Sequence, residues 1–348
     1  MNSTTKRGLT LRPLAGDDEP AVLALLGAAL AGGPTGERTS AFFRWKHMDN
    51  PFGRSYGLVA TDDETGQLIG VRLFLRWQLR AGTTTVPAVR AVDTATHPDH
   101  QGRGIFTKLT LRALDDLDTE GVALVFNTPN AASKPGYLKM GWQEVGDLPV
   151  RLRPVRPLRV LRGVAAGAGQ SAVTEVGEPI ASRLALAGDV LRSRRHEVED
   201  LLEAADAAPT GCLHTDRSFD YLDWRYAAPP GMDYRAIPIE RQGLLVGLGL
   251  GRLRRRGGLT ELTLSEVLVR PGDTASARSV LRGAALAGVD HVAAMLDPIG
   301  LGAVGLRAGY IRVPRHGLTL VTNPRRWLAL DPTRPDAWRL TLGDLEVF

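Results

Sequence analysis

Thr94-Ala95-Thr96-His97-Pro98-Asp99-His100-Gln101-Gly102-Arg103-Gly104-Ile105-Phe106 is the stretch on which the reading of this 348-residue chain turns. An apolar run from Val86 to Thr96 has the composition of a buried strand, and His97-Pro98 ends it. Gly102 and Gly104 stand just before a helical pattern over Phe106 to Leu117. Glycines at such a turn let backbone N–H groups point toward a ligand with no Cβ in the way, and the helix start adds its positive dipole end. The combination makes a cradle suited to a pyrophosphate.

Two familiar phosphate loops do not fit. A P-loop requires Lys-Ser or Lys-Thr after its second glycine, whereas Ile105-Phe106 follow Gly104. The Rossmann fingerprint requires three glycines near the first strand of its fold; here the loop comes after several strands and lacks the third glycine.

Upstream, Leu9 to Arg12 alternates as a strand, and Ala21 to Leu30 carries apolar residues at helical spacing behind Asp17-Asp18. Ser40 to His47 predicts a short helix stopped at Asn50-Pro51, and Tyr56 to Thr61 and Leu68 to Trp77 predict strands around a turn. Downstream, Val122 to Phe126 reads as a short buried strand, and Val150 to Leu152 as the start of the last strand of this half.

From Pro154 to Pro179 the texture shifts to Arg, Pro, Gly and Ala, including Gly163, Gly167 and Gly169, which reads as a linker with a short helix at Leu158 to Leu161. The earlier pattern then returns in order. Phe42 to His47 is echoed by Tyr221 to Tyr226, Leu68 to Val71 by Leu245 to Leu248, Asp93 to Pro98 by Glu266 to Pro271, and Leu138 to Trp142 by Leu306 to Tyr310. Four collinear matches imply an internal duplication. The expected organisation is residues 1–154 as one α/β domain, 155–179 as linker and 180–348 as a second domain.

A chain of this length needs no disulfide or metal to hold a core. Its 43% hydrophobic and 23% charged residues exclude wholesale disorder. The lone Cys212 excludes an internal disulfide and any multi-cysteine metal site, and the seven histidines show no metal spacing. With no 18-residue apolar run and no apolar signal core in Met1 to Arg12, the expectation is a cytoplasmic protein without a membrane span. Forty-three basic against 38 acidic residues is a mild excess, so no nucleic-acid partner is expected. The densest basic run, Arg252 to Arg256, reads as a solvated hairpin end, with contact to a phosphate-rich partner as the alternative.

The segment Val86 to Gly146 resembles the GNAT superfamily of N-acetyltransferases. That family's acetyl-CoA loop is (Arg/Gln)-x-x-Gly-x-(Gly/Ala), and Gln101 to Phe106 supplies the Gln and the diagnostic Gly104; Phe106 departs at the last, usually small, position. A second signature, an Asn followed by Tyr-x-Lys-x-Gly-(Phe/Trp), is similar to Asn130 and Tyr137-Leu138-Lys139-Met140-Gly141-Trp142, with Pro135-Gly136 shortening the intervening helix. Trp45-Lys46 and Asn50-Pro51-Phe52-Gly53 resemble a tandem subgroup of the family. In the second copy Gly272-Asp273-Thr274-Ala275-Ser276-Ala277 replaces the cradle and Gly305 stands in the place of Tyr137, so that copy resembles a degenerate GNAT domain. The implied fold class is α/β with a mixed sheet, in two tandem GNAT-like domains.

The resemblance implies direct transfer of acetyl from acetyl-CoA to a primary amine of a small molecule, with no metal. Tyr137 is the implied general acid toward the CoA sulfur. Thr94, Ala95 and Thr96, with Gln101, Gly102, Arg103, Gly104, Ile105, Phe106 and Asn130, are the implied cofactor contacts, a backbone amide near Ala95 holding the thioester carbonyl. Asp93, in an apolar strand where a carboxylate needs a partner, is a candidate base whose acid recurs at Glu266; that recurrence favours a structural hydrogen bond. His97 and His100 read as turn residues, Asn130 as fixing its own loop, Trp45 and Trp224 as core or inter-domain packing, and Cys212 as dispensable. Aminoacyl or longer-acyl transfer, and a CoA-binding sensor without turnover, are the alternatives.

Overall fold

In a computed structural model of the chain, residues 8–29, 39–167, 173–175, 184–206 and 211–345 are described. The first half supplies β1 (Leu9–Pro13), α1 (Glu19–Ala29), α2 (Ser40–His47), β2 (Tyr56–Asp62), β3 (Leu68–Ala81), β4 (Thr84–Thr96), α3 (Ile105–Thr119), β5 (Leu124–Asn127), α4 (Lys134–Lys139) and β6 (Gln143–Pro154). α5 (Pro157–Ala165) and β7 (Val173–Glu175) connect it to the second half. There follow β8 (Ala185–Leu186), α6 (Ala187–Ser193), α7 (Arg195–Asp206), β9 (Leu213–Thr215), α8 (Phe219–Leu222) and a π-helical turn (Asp223–Ala227). The second half closes with β10 (Tyr234–Arg241), β11 (Leu244–Arg256), β12 (Leu259–Val269), α9 (Thr274–Ala284), β13 (His291–Ala294), α10 (Gly302–Arg307), β14 (Ile311–Pro324) and α11 (Leu342–Leu345).

All strands belong to one mixed sheet, in the order β1-β2-β3-β4-β5-β14-β6-β13-β12-β11-β10-β8, with β7 and β9 paired off this path. The β3–β4 hairpin with α3 in the first half matches the β11–β12 hairpin with α9 in the second, as the repeat predicts. At the centre the halves exchange strands. β14 pairs with β5 and β6, and β6 then pairs with β13, so each half's last strand completes the other's sheet.

Packing follows the same logic. α3 and α4 cover a core drawn from the first half apart from Val321 of β14, and α9 and α10 cover an equivalent core in the second. On the opposite sheet face, one larger core joins both halves, with Val22 and Leu26 of α1, Trp45 of α2, Leu201 of α7 and Trp224 of the π turn. Trp45 and Trp224 stack there at 5.1 Å between ring centroids, the inter-domain packing expected of them.

Two boundaries differ from the sequence reading. The last strand of the first half starts at Gln143, not Val150, because β14 supplies a long-range partner; Gly146, at φ +139, breaks the alternation there. The linker helix is longer than Leu158–Leu161, and Gly163 packs on Leu259, where an added Cβ would meet Cδ1 at 2.7 Å. Leu30 and Gly169 lie outside the described residues. Among the described residues, no helix is long and apolar enough to cross a membrane.

Candidate active site

The site begins with an irregularity in β4. Its pairing with β3 steps from Arg72↔Thr94 to Leu73↔Val92, which leaves Asp93 as an extra residue. Asp93 sits at φ +32, a backbone region that a non-glycine residue adopts only when its surroundings hold it there. The holding is visible: Asp93 Oδ2 lies 2.6 Å from Lys46 Nζ and 3.0 Å from His47 Nε2, with all three side chains buried. His47 Nδ1 in turn is 2.8 Å from Ser55 Oγ.

On its other edge, β4 pairs with β5 only over Ala88 to Arg90. Beyond Arg90 the two strands part, and the edge from Ala91 to Thr96 opens into a cavity of about 1330 Å³. The loop after β4 forms its rim. Pro98–His100 make a 3-10 turn, Gly102 and Gly104 take φ +74 and +70, and an added Cβ at either would meet open space. The first bond into α3 runs from Lys108 N–H to Gly104 O at 3.0 Å. The N–H groups of Ile105, Phe106 and Thr107 therefore precede the helical ladder and are available to an anion.

Thr94, Ala95, Thr96, Gln101, Gly102, Gly104, Ile105, Phe106 and Asn130 all line this cavity, together with Asp93 and Tyr137. Arg103 does not: its Nη1 lies 2.6 Å from His100 Nδ1 and 3.5 Å from Asp62 Oδ2, bracing the loop from behind. Asn130 accepts hydrogen bonds at 2.9 Å from both the N–H and the hydroxyl of Ser133, which fixes its own turn.

Tyr137, 5% exposed, rises from the short α4 that Pro135-Gly136 predicts. Its ring meets Phe106 edge-on at 5.6 Å and Trp142 at 5.1 Å, and its hydroxyl has no hydrogen-bond partner among the described residues. Phe106, bulky where the family pattern is small, is accommodated by Gly136, whose missing Cβ would lie 3.3 Å from the Phe106 ring.

Sequence reasoning missed the arginines. Arg72 is buried within β3, beneath Phe74 (4.5 Å), Phe106 (5.4 Å) and Tyr137 (5.3 Å), and donates to Thr94 Oγ1. Arg90 donates to the carbonyls of Asp344 and Leu345; burial pushes its guanidinium down to about 9, still protonated at neutral pH. Arg252, Arg254 and Arg256, expected on a solvated hairpin end, also line the cavity. The alternation Arg-Leu-Arg-Arg-Arg was the available signal, since residues two apart on a strand share a face.

The second copy lacks such a cradle. Asp273 caps α9 itself, accepting from Ser276 N–H at 2.9 Å and from its hydroxyl at 2.6 Å, so a carboxylate already occupies the helix start. An added Cβ at Gly305 would meet the terminal methyl of Leu296, which would have to shift. The bulge of this copy falls on Ser265, one residue before Glu266. Even so, Glu266 accepts from Tyr226 at 3.0 Å, and Tyr226 is the repeat counterpart of His47. The recurrent acid thus ties its strand to the equivalent helix in both halves.

The chain matches the acetyltransferase (GNAT) domain family over residues 10–145. This segment is a GNAT domain. No curated protein sequence matches the chain. Among solved structures, the fold is similar to a conserved Enterococcus faecalis protein described as a probable N-acyltransferase (13% identity, TM-score 0.62, 91% of this chain and 73% of that one). It is similar to a GCN5-related N-acetyltransferase from Anabaena variabilis (13%, 0.63, 92% and 73%). Saccharomyces cerevisiae N-myristoyltransferase with bound myristoyl-CoA is also similar (11%, 0.57, 98% and 89%). The GNAT fold binds acyl-CoA and serves acyl transfer, and the chain is accordingly an acyltransferase by fold.

Proposed function

We propose that the chain moves an acetyl group from acetyl-CoA directly to a primary amine of a small molecule. The observation that carries this is the meeting, in one cavity, of the N–H-rich Gly102–Gly104 loop, the open β4 edge and Tyr137. In this reading the pyrophosphate lies on the start of α3, and a backbone N–H near Ala95 polarises the thioester carbonyl. Tyr137 protonates the departing thiolate. Transfer without a covalent enzyme intermediate joins the amine nitrogen to the acetyl carbon as the C–S bond breaks. The nitrogen gives its extra proton to water, and Tyr137 regains from water the proton that it gave to the thiolate. Asp93 acts by fixing the β4 bulge rather than by removing the amine proton, because Lys46 already shares its charge.

The acyl-CoA copy is assigned to residues 1–154, the connector to 155–179 and the copy without a cofactor site to 180–348. The second copy's contribution is the far wall of the cavity, through β11, β12 and β14. A longer acyl group is a second reading, favoured by a cavity volume above the usual 300–1,000 Å³ of small-molecule sites. Free-thiol release from acetyl-CoA and from longer acyl-CoAs, against a panel of amines, tests both. A protein that binds CoA and never releases thiol would be a sensor, and the proposal would fall.

A further inference from the structure

The second half repeats the strand split that opens the large cavity in the first. β12 pairs with β13 only over Glu261 to Leu264, although it runs on to Val269. Beyond the split, Glu266 to Val269 line a separate cavity of about 220 Å³, which is also lined by residues of α7 and by Arg339 and Thr341. At roughly 30 Å³ per water, this is room for about seven non-hydrogen atoms, far below a CoA molecule.

Leu201, Leu202, Leu268, Ile299 and Leu301 give the cavity an apolar lining. Arg339 lines it too, half-buried, and among the described residues no carboxylate pairs with its guanidinium. Burial pushes that group down, the Arg217 charge adds to the effect, and the Cys212 thiol works the other way. The carboxylates of the cavity are committed elsewhere. Asp206 holds Arg80 at 2.7 Å, Asp273 caps α9 through Ser276, and Glu266 serves Arg217, Tyr226 and Thr341. Burial pushes the neighbouring His214 ring down, and the Arg217 and Arg339 charges push the same way, so the positive field reaches beyond Arg339 itself.

We propose that this cavity binds a small monocarboxylate, with its oxyanion on Arg339 and its short apolar chain against Leu201, Leu202 and Leu268. A cation drawn partly out of water without a counter-charge carries a desolvation cost, which a carboxylate held in a charge-assisted hydrogen bond offsets. The apolar lining selects the rest of the ligand: a chain of about four carbons beyond the carboxyl carbon fills the volume and removes that lining from water. Inorganic phosphate would answer the guanidinium and leave the leucines wet. Binding here requires no acyl transfer, so this site stands or falls apart from the function proposed above.

The test is calorimetric titration of the full chain with pentanoate, with pentanamide and with inorganic phosphate. Pentanoate should bind, and pentanamide, nearly the same shape without the charge, should bind at least about tenfold more weakly, the factor of one charge-assisted hydrogen bond. Arg339→Gln should weaken pentanoate binding by a similar factor, and Arg339→Lys should keep part of it. Thermal unfolding reports whether the variants are folded. If Arg339→Gln is not, Ala205→Leu, which narrows the cavity and keeps the charge, should abolish the same binding. Equal affinity for pentanoate and pentanamide, or parental affinity in folded Arg339→Gln or Ala205→Leu, overturns the proposal. So does phosphate binding at Arg339 in preference to pentanoate, or no pentanoate binding through the millimolar range.

Discussion

Trp45 and Trp224 each donate their indole N–H to the other's backbone carbonyl, at 2.8 and 2.9 Å. The rings stack between them at an interplanar angle of 21°. The two residues hold the same place in the repeated segment, so this reciprocal pair marks the pseudo-twofold relation between the halves. Together with β14 running between β5 and β6, it makes the halves one cooperative unit rather than two beads on a linker.

Trp224→Ala should therefore destabilise the whole chain by roughly 3–5 kcal/mol, the range for a large aromatic removed from a core. Urea unfolding followed by fluorescence and by circular dichroism should give one coincident transition. A fragment of residues 1–167 lacks β14 and should be insoluble or poorly active; a soluble, fully active fragment would contradict the exchanged-strand account.

Tyr137→Phe keeps the ring against Phe106 and Trp142 and removes only the hydroxyl. Stability and acetyl-CoA affinity should survive, while single-turnover transfer slows by about 10²-fold, the low end for general acid catalysis. An unchanged single-turnover rate would move the proton to water or to another residue.

Asp93→Asn separates a structural acid from a base. Removing the carboxylate breaks its buried ion pair with Lys46 at 2.6 Å, which should cost about 3–5 kcal/mol in denaturant unfolding. A stable protein with much reduced turnover would instead assign Asp93 to proton removal.

Acid sensitivity should trace partly to Glu261. His291 and Thr263 hold its carboxyl at about 2, below the ordinary 4.5, against the upward push of burial. A folded value below the unfolded one means that the contribution is present above about pH 4.5 and fades as pH falls through about 2. Glu261→Gln should lose less stability than the parent between pH 5 and 2, as read from unfolding midpoints.

Much of the site was legible locally. Gly102 and Gly104 announced a left-handed loop before a helix, and Asn130 and Tyr137 stood at a spacing that one turn and one short helix impose. The duplication, too, was visible as collinear echoes. What stayed hidden depends on distant chain. The insertion of β14 needs a partner some 170 residues away in sequence. The bulge at Asp93 exists because Lys46 and His47 reach it from α2. Arg252 to Arg256 read as surface because a hairpin's charged end is usually wet; which face of β11 looks into a cavity is decided by the neighbouring half.

Calorimetric titration with acetyl-CoA tests the central claim most directly, that one copy holds the cofactor at Gly102–Gly104 and the other does not. The account predicts one molecule bound per chain. It also predicts that Gly104→Glu, which sets a carboxylate against the pyrophosphate at a position of φ +70 with open space around it, abolishes binding in a folded protein. Two molecules per chain, or unchanged affinity in folded Gly104→Glu, would contradict it.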